Sequence, residues 1–206
     1  MKRLLKESDK AAVSAAIKQA ELRTIGELVT VITGASDEYL YIPTLWASLI
    51  ALLVPISFVL GGTWMGVMSL FSIQIAVFIV LALVFRIPFI KYALVPTALK
   101  RLRASRVARE QFFVQGLQNT EGRTGILLFV SVAERYVEII ADKGINDVAP
   151  KEAWNSIVTT FVSSVKAGQY KQGFVSAIGE CGEILHQHFP AKKENPNELP
   201  DHLVEL

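Results

Sequence analysis

Only one cysteine and three histidines occur among the 206 residues, so the side chains that most often serve as nucleophiles, general bases or soft metal ligands can be judged one at a time. Cys181 is followed by Gly182-Glu183-Ile184-Leu185-His186-Gln187. A cysteine phosphatase needs an arginine in that stretch to cradle phosphate, and none is there, so the thiol reads as a buried helix residue. His186 and His188 are two apart and point away from one another on a helix, and His202 lies near the carboxyl end, which is poor spacing for zinc. No P-loop, Gly-x-Ser-x-Gly elbow or His-Glu-x-x-His string occurs. The carboxylates are more numerous. On residue chemistry alone, Glu21 and Glu27 read as acceptors for backbone amides at a helix–strand turn. Glu134 or Glu138 reads as a partner of Arg135, and Asp147 as the cap of a helix beginning at Pro150.

What must position these groups is dominated by two uncharged apolar runs, 42–60 and 64–85, joined by Gly61-Gly62-Thr63. Each is about 20 residues, which at roughly 1.5 Å per residue matches a hydrocarbon core of about 30 Å. The joint is too short for anything but an antiparallel turn, so 42–86 is expected to be a transmembrane helical hairpin. It holds no ionisable group at membrane depth, which favours an anchor over a pore or pump. Arg86, Lys91, Lys100, Arg101, Arg103, Arg106 and Arg109 follow the second run, and Lys2, Arg3, Lys6 and Lys10 lie at the start. Cations collect on the cytoplasmic side, so both termini are expected there. Tyr39, Tyr41, Trp46, Phe89 and Tyr92 would form an inner aromatic belt and Trp64 an outer one. No cleavable signal peptide is read in the first forty residues, which lack a continuous apolar core. A net charge of +2 is too small to indicate a nucleic-acid partner. The lone cysteine excludes an internal disulfide.

From 95 to 118 the pattern predicts one helix, with Pro96 in its first turn and Asn119 and Gly122 beyond its end. Its basic half carries Lys100, Arg101, Arg103, Arg106 and Arg109. These cations either hold anionic lipid head groups, at roughly 1 kcal/mol each near the surface, or only fix topology.

The remaining sequence reads as one domain divided by the hairpin, 1–40 before it and 95–190 after it, with a polar tail at 191–206. Ser8 or Asp9 caps a first helix to Leu22, and a β-branched strand follows the Thr24-Ile25-Gly26 turn. An apolar strand at 125–132 turns through Ala133-Glu134-Arg135 into an antiparallel partner at 136–141. Two amphipathic helices, 150–167 and 170–189, can cover the sheet. The tail, with Pro196, Asn197 and Pro200, reads as extended and loosely held.

The order of these elements, together with several local strings, resembles the TPM domain family, which includes thylakoid-lumen proteins described as acid phosphatases and many bacterial membrane proteins. The strings are Glu21-Leu22-Arg23-Thr24-Ile25-Gly26-Glu27 before the first strand, Gly125-Ile126-Leu127-Leu128-Phe129-Val130 as the second strand, and the tight turn Ala133-Glu134-Arg135. Ala167-Gly168-Gln169-Tyr170 and the terminal Asn197-Glu198-Leu199-Pro200-Asp201 complete the likeness.

The resemblance implies an α/β/α sandwich with a small mixed sheet, interrupted here by the two-helix hairpin. It also implies binding of calcium or another divalent cation and slow phosphate-ester hydrolysis in some members. Oxygen ligands for such an ion would come from Glu21, Glu27, Glu134, Asp142 and Asp147. The chain departs from the metal-binding pattern at Asp142-Lys143-Gly144, where a Gly-Tyr-Gly string is usual, and at Gln169, where an aspartate is usual. Lys143 would bring a competing cation. The expected function is therefore a non-catalytic interaction or assembly module in a bacterial inner (plasma) membrane, partnered by the bilayer and another membrane protein. A weak metal-dependent phosphatase and an anionic-lipid-binding surface are the alternatives.

Overall fold

The structure is a computed structural model and describes residues 5–62, 65–149, 151–191 and 198–206. Residues 2, 3, 63, 64, 150, 196 and 197, which figure in the expectations above, lie outside that set. The chain divides into two compact units, one formed by residues 1–36 with 101–206 and the other by 37–100.

In the first unit, helix α1 (Glu7–Glu21) buries Val13 and Ile17 one turn apart and places Glu7 and Asp9 in its first turn, where carboxylates favour the helix dipole. Its cap is Lys6, without a side-chain bond, so neither Ser8 nor Asp9 caps it. Strands β1 (Glu27–Thr33) and β2 (Gly125–Ser131) are buried at every position. They are parallel, with Glu27 opposite Gly125 and Thr33 opposite Ser131. That double burial is why both read as unbroken apolar or β-branched runs. Strand β3 (Tyr136–Ala141) returns antiparallel to β2 through a turn in which Arg135 takes φ 51°. The sheet order is β3-β2-β1-β4.

The fourth strand was not expected. Leu203–Glu205 pairs parallel to β1 as β4, Leu203 is 6% exposed, and the Leu206 amide donates to the Ile32 carbonyl at 3.0 Å. The end of the supposed loose tail is thus a sheet edge.

One face of the sheet, with Leu28, Ile32, Ile126, Leu128 and Leu203, packs on α1, α7 (Lys151–Lys166) and α8 (Tyr170–His188). Phe161 and Phe174 meet edge to face there, with ring centres 5.0 Å apart. The other face, with Val29, Val31, Leu127 and Phe129, is covered by α5 (Thr97–Val114) through Ala104, Ala108 and Phe112. Leu117, in a short 3-10 turn, completes that layer. The result is the expected α/β/α sandwich with a mixed sheet.

The single basic helix expected from 95 to 118 is divided. Val95 precedes Pro96, and a residue before proline is pushed out of the helical region; its ψ is 125°. The chain therefore forms α4 (Pro88–Leu94), breaks, and starts again as α5. Gly116, at φ 77°, ends the run.

A short helix, α6 (Lys143–Asn146), follows β3 and was also unforeseen. A Cβ on Gly144 would lie 2.8 Å from the Arg123 carbonyl oxygen and closer still to that of Gly122. Backbone cannot yield as a side-chain tip can. Gly144→Ala is expected to cost about 1–3 kcal/mol, read as a lower denaturation midpoint with an unchanged slope.

In the second unit, α2 (Tyr41–Leu60) and α3 (Val67–Val84) pack against each other. Both are long and apolar enough to cross a membrane. Only Pro43, Ala47 and Ala51 of α2 are buried, and no residue of α3 is. Tyr41, Trp46 and Phe89 are exposed, as belt residues would be. Tyr39 is instead fully buried, its ring edge-on to Tyr92 at 6.0 Å, and Lys91 sits over the Tyr92 ring at 4.7 Å.

Candidate functional site

The amino ends of β1 and β2 are where carboxyl groups concentrate, because α1 ends on Glu21 and β1 starts on Glu27. The turn between them is fixed by Thr24, which is fully buried. Its hydroxyl donates to the Phe189 carbonyl at 2.6 Å and accepts from the Gly26 amide at 3.0 Å. Gly26 lies against Leu185, whose side chain leaves no room for a Cβ. Thr24 and Gly26 are therefore accounted for by backbone bonds and packing.

Glu21 Oε1 accepts from the Leu28 amide at 2.9 Å, as expected of an acceptor at this turn. Burial pushes its carboxyl up to about 9. The Leu28 amide works against that rise, while the charge of Glu27 and a hydrogen bond with Asp201 add to it. Glu27 is 5% exposed and accepts from the amides of Glu198 and Leu199 at 3.1 and 3.3 Å. Its pKa is also raised, by burial first, against the pull of those two amides. The segment from 198 to 205 is thus held by two acidic side chains of the α1–β1 turn and by strand pairing with β1.

The other carboxylates go elsewhere. Asp142 caps α6 by accepting from the Lys143 amide at 2.7 Å, and Arg123 grips it with two bonds of 2.6 and 2.9 Å. Burial alone would raise Asp142, but Arg123 and the Lys143 amide prevail and hold it below the ordinary carboxylate range. Asp147 closes α6 at its carboxyl end. Glu134 is at the opposite end of the strands, where it accepts from the Ser36 amide at 3.1 Å and from the Ser131 hydroxyl. It joins the exit of β1 to the β2–β3 turn, and among the described residues it pairs with neither Arg135 nor another cation.

The five carboxylates named from the sequence therefore do not form one centre. Glu21 and Glu27 come together, Asp142 is matched by an arginine, and Glu134 lies across the sheet. Among the described residues no three His, Cys, Asp or Glu side chains are placed to hold a metal ion. Around Glu21 and Glu27 three of the four carboxyl oxygens already take backbone amides, and only the buried Glu21 Oε2 takes none. Two carboxyl groups with one oxygen clear of backbone amides fall short of the roughly six or more oxygen ligands that a calcium ion takes.

Cys181 is fully buried in α8, and burial drives its thiol well above the usual range. His186 Nδ1 lies 2.8 Å from the Arg23 carbonyl, and Arg23 pairs with Glu183 at 2.6 Å. These are structural uses. Sequence reading missed Arg123, Ser131 and Asp201. For Asp201 the signal was present in the Asn197–Asp201 string; for the others, 19 and 3 residues from their partners, nothing in the sequence sets them apart.

Along α5, Arg103, Arg106 and Arg109 line a groove with Leu102 and Ser105. Arg101 is exposed outside it, and Lys100 belongs to the second unit.

These features define an α/β/α sandwich domain into which a helical hairpin is inserted. Residues 89–184 match the family model described as the TPM domain. Its fold is similar to that of the NMR structure of BA42 protein from the psychrophilic bacterium Bizionia argentinensis, with a TM-score of 0.64 and 21% identity. That likeness covers 100% of this chain and 98% of the other. No curated protein matches.

Proposed function

We propose that this chain is a membrane-anchored TPM domain acting as a non-catalytic interaction or assembly module, with the bilayer and another membrane protein as partners. The carrying observation is the hairpin, whose two apolar helices leave nearly all their surface bare. A surface of that size is unfavourable in water and favourable in hydrocarbon. Strand pairing supports a shared side for the soluble segments. β1 precedes the hairpin while β2 and β4 follow it, so the intervening chain crosses a bilayer an even number of times. The cations after α3 favour the cytoplasmic face of a bacterial inner membrane, with both termini inside.

Membrane residence is tested by alkaline carbonate extraction, and sidedness by a reporter after Leu206 that is active only outside the membrane. Retention in the pellet with a silent reporter is expected; a soluble chain or an active reporter overturns the placement. A stoichiometric protein partner retained in mild detergent is expected of the module.

A weak divalent-cation-dependent phosphatase is the second reading, favoured only by the raised carboxyls of Glu21 and Glu27. Calcium calorimetry on the full chain, with a magnesium control, separates the two. Saturable binding lost in Glu21→Gln would favour the phosphatase; no heat from a folded chain would favour the module.

A further inference from the structure

The exposed side of α5 has two kinds of surface in one stripe. Leu102, Arg106, Arg109 and Phe113 follow one another at intervals of four, three and four residues, which keeps them on one helical face. The apolar pair at the ends is 67% and 63% exposed. Between them the groove, of ≈ 500 Å³, is lined by Leu102, Arg103, Ser105, Arg106 and Arg109.

The nearby acidic group is already engaged. Glu138 of β3 accepts from the Ser105 hydroxyl at 3.2 Å and from the Tyr136 hydroxyl at 3.0 Å, so both its oxygens are held by neutral donors. Arg106 and Arg109 make no ion pair among the described residues. The guanidinium groups of Arg106 and Arg109 thus line a hollow too open to be core, with aliphatic and aromatic surface beside them.

We propose that this groove seats the phosphate-bearing head group of an anionic phospholipid, with Arg106 and Arg109 on the phosphate and Leu102 and Phe113 against the glycerol and upper acyl region. Guanidinium forks match phosphate oxygens in pairs, and basic helices with exposed Leu and Phe are the pattern of an interfacial surface. The source of the lipid follows from chain continuity: α5 begins at Thr97, only 13 residues beyond the last residue of α3, Val84. The proposal rests on the anchor reading for that membrane, and it narrows the five basic candidates to the groove pair.

Native mass spectrometry of the full chain in mild detergent tests it, with phosphatidylglycerol and phosphatidylcholine added in equal amounts. The wild type is expected to retain phosphatidylglycerol preferentially. Arg106→Gln with Arg109→Gln should reduce that preference roughly tenfold or more, while Lys100→Gln with Arg101→Gln, which removes the same charge outside the groove, should leave it nearly intact. Equal losses in the two double variants would mean a diffuse field and overturn the site, as would no loss in either. Displacement of the lipid by glycerol phosphate at the same concentration would assign the groove to a soluble phosphate ester and overturn the lipid source. If the groove variant melts without a transition, single Arg106→Gln is compared with single Arg101→Gln on the same terms. A chain that is fully soluble after carbonate extraction fails the anchor reading, whereas an extracted membrane protein without lipid preference fails the groove alone.

Discussion

Glutamine in place of Glu21 is expected to make the protein more stable at pH 8 and to flatten the fall of its stability between about pH 5 and 9. In the folded chain the carboxyl titrates at about 9, against an ordinary value of 4.5. The folded state therefore holds a proton that the unfolded state has released. Stability from this group is fully present below the ordinary value and is lost as pH rises towards 9, by at most about 1.4 kcal/mol per unit. Residual solvent access and relaxation make the true slope smaller. Glutamine keeps an oxygen for the Leu28 amide and offers an N–H towards Asp201, so the fold should survive. Melting temperatures of both proteins at several pH values in one detergent would check this. A wild-type curve no steeper than that of the variant would mean that Glu21 is ionised. Glu27, also raised, should leave some slope in the variant. Asp142, held low, acts oppositely: its contribution is present at neutral pH and is lost as acid protonates it.

Leu203→Ala should cost about 2–4 kcal/mol, far more than the half kilocalorie typical of an exposed residue. Leu203 is 6% exposed and belongs to the same apolar cluster as Leu28, Ile32 and Leu128. Truncation would leave a cavity at the sheet edge and weaken the pairing of β4 with β1. Denaturant midpoints give the magnitude, and faster hydrogen exchange at the Leu206 amide, which donates to Ile32, gives the location. A change within half a kilocalorie would mean that β4 contributes little.

How much of this was legible depends on where each signal is stored. β1 and β2 could be read because burial on both faces leaves a long apolar run, and the two hairpin helices because each is a long run without charge. β4 could not. Three residues after a polar stretch carry no periodicity, and the partner strand lies about 170 residues earlier. The division of α4 from α5 was recoverable in principle from Val95-Pro96, but proline is equally at home in the first turn of one longer helix. In the candidate site, the acceptor role of Glu21 was local and readable. Arg123 was invisible to spacing, because its bond to Asp142 forms only after β2 and β3 have paired.

The position of the hairpin sets the order in which the domain can be completed during synthesis. β1 leaves the ribosome first, yet its neighbours begin at Gly125 and Leu203. At about 5–20 residues per second, roughly ten seconds or more pass with the central strand bare along one or both edges. During that interval the hairpin emerges. A newborn chain therefore needs its first 36 residues shielded from other strands until the last ones arrive, and a product stalled before residue 203 would keep the central strand open to aggregation.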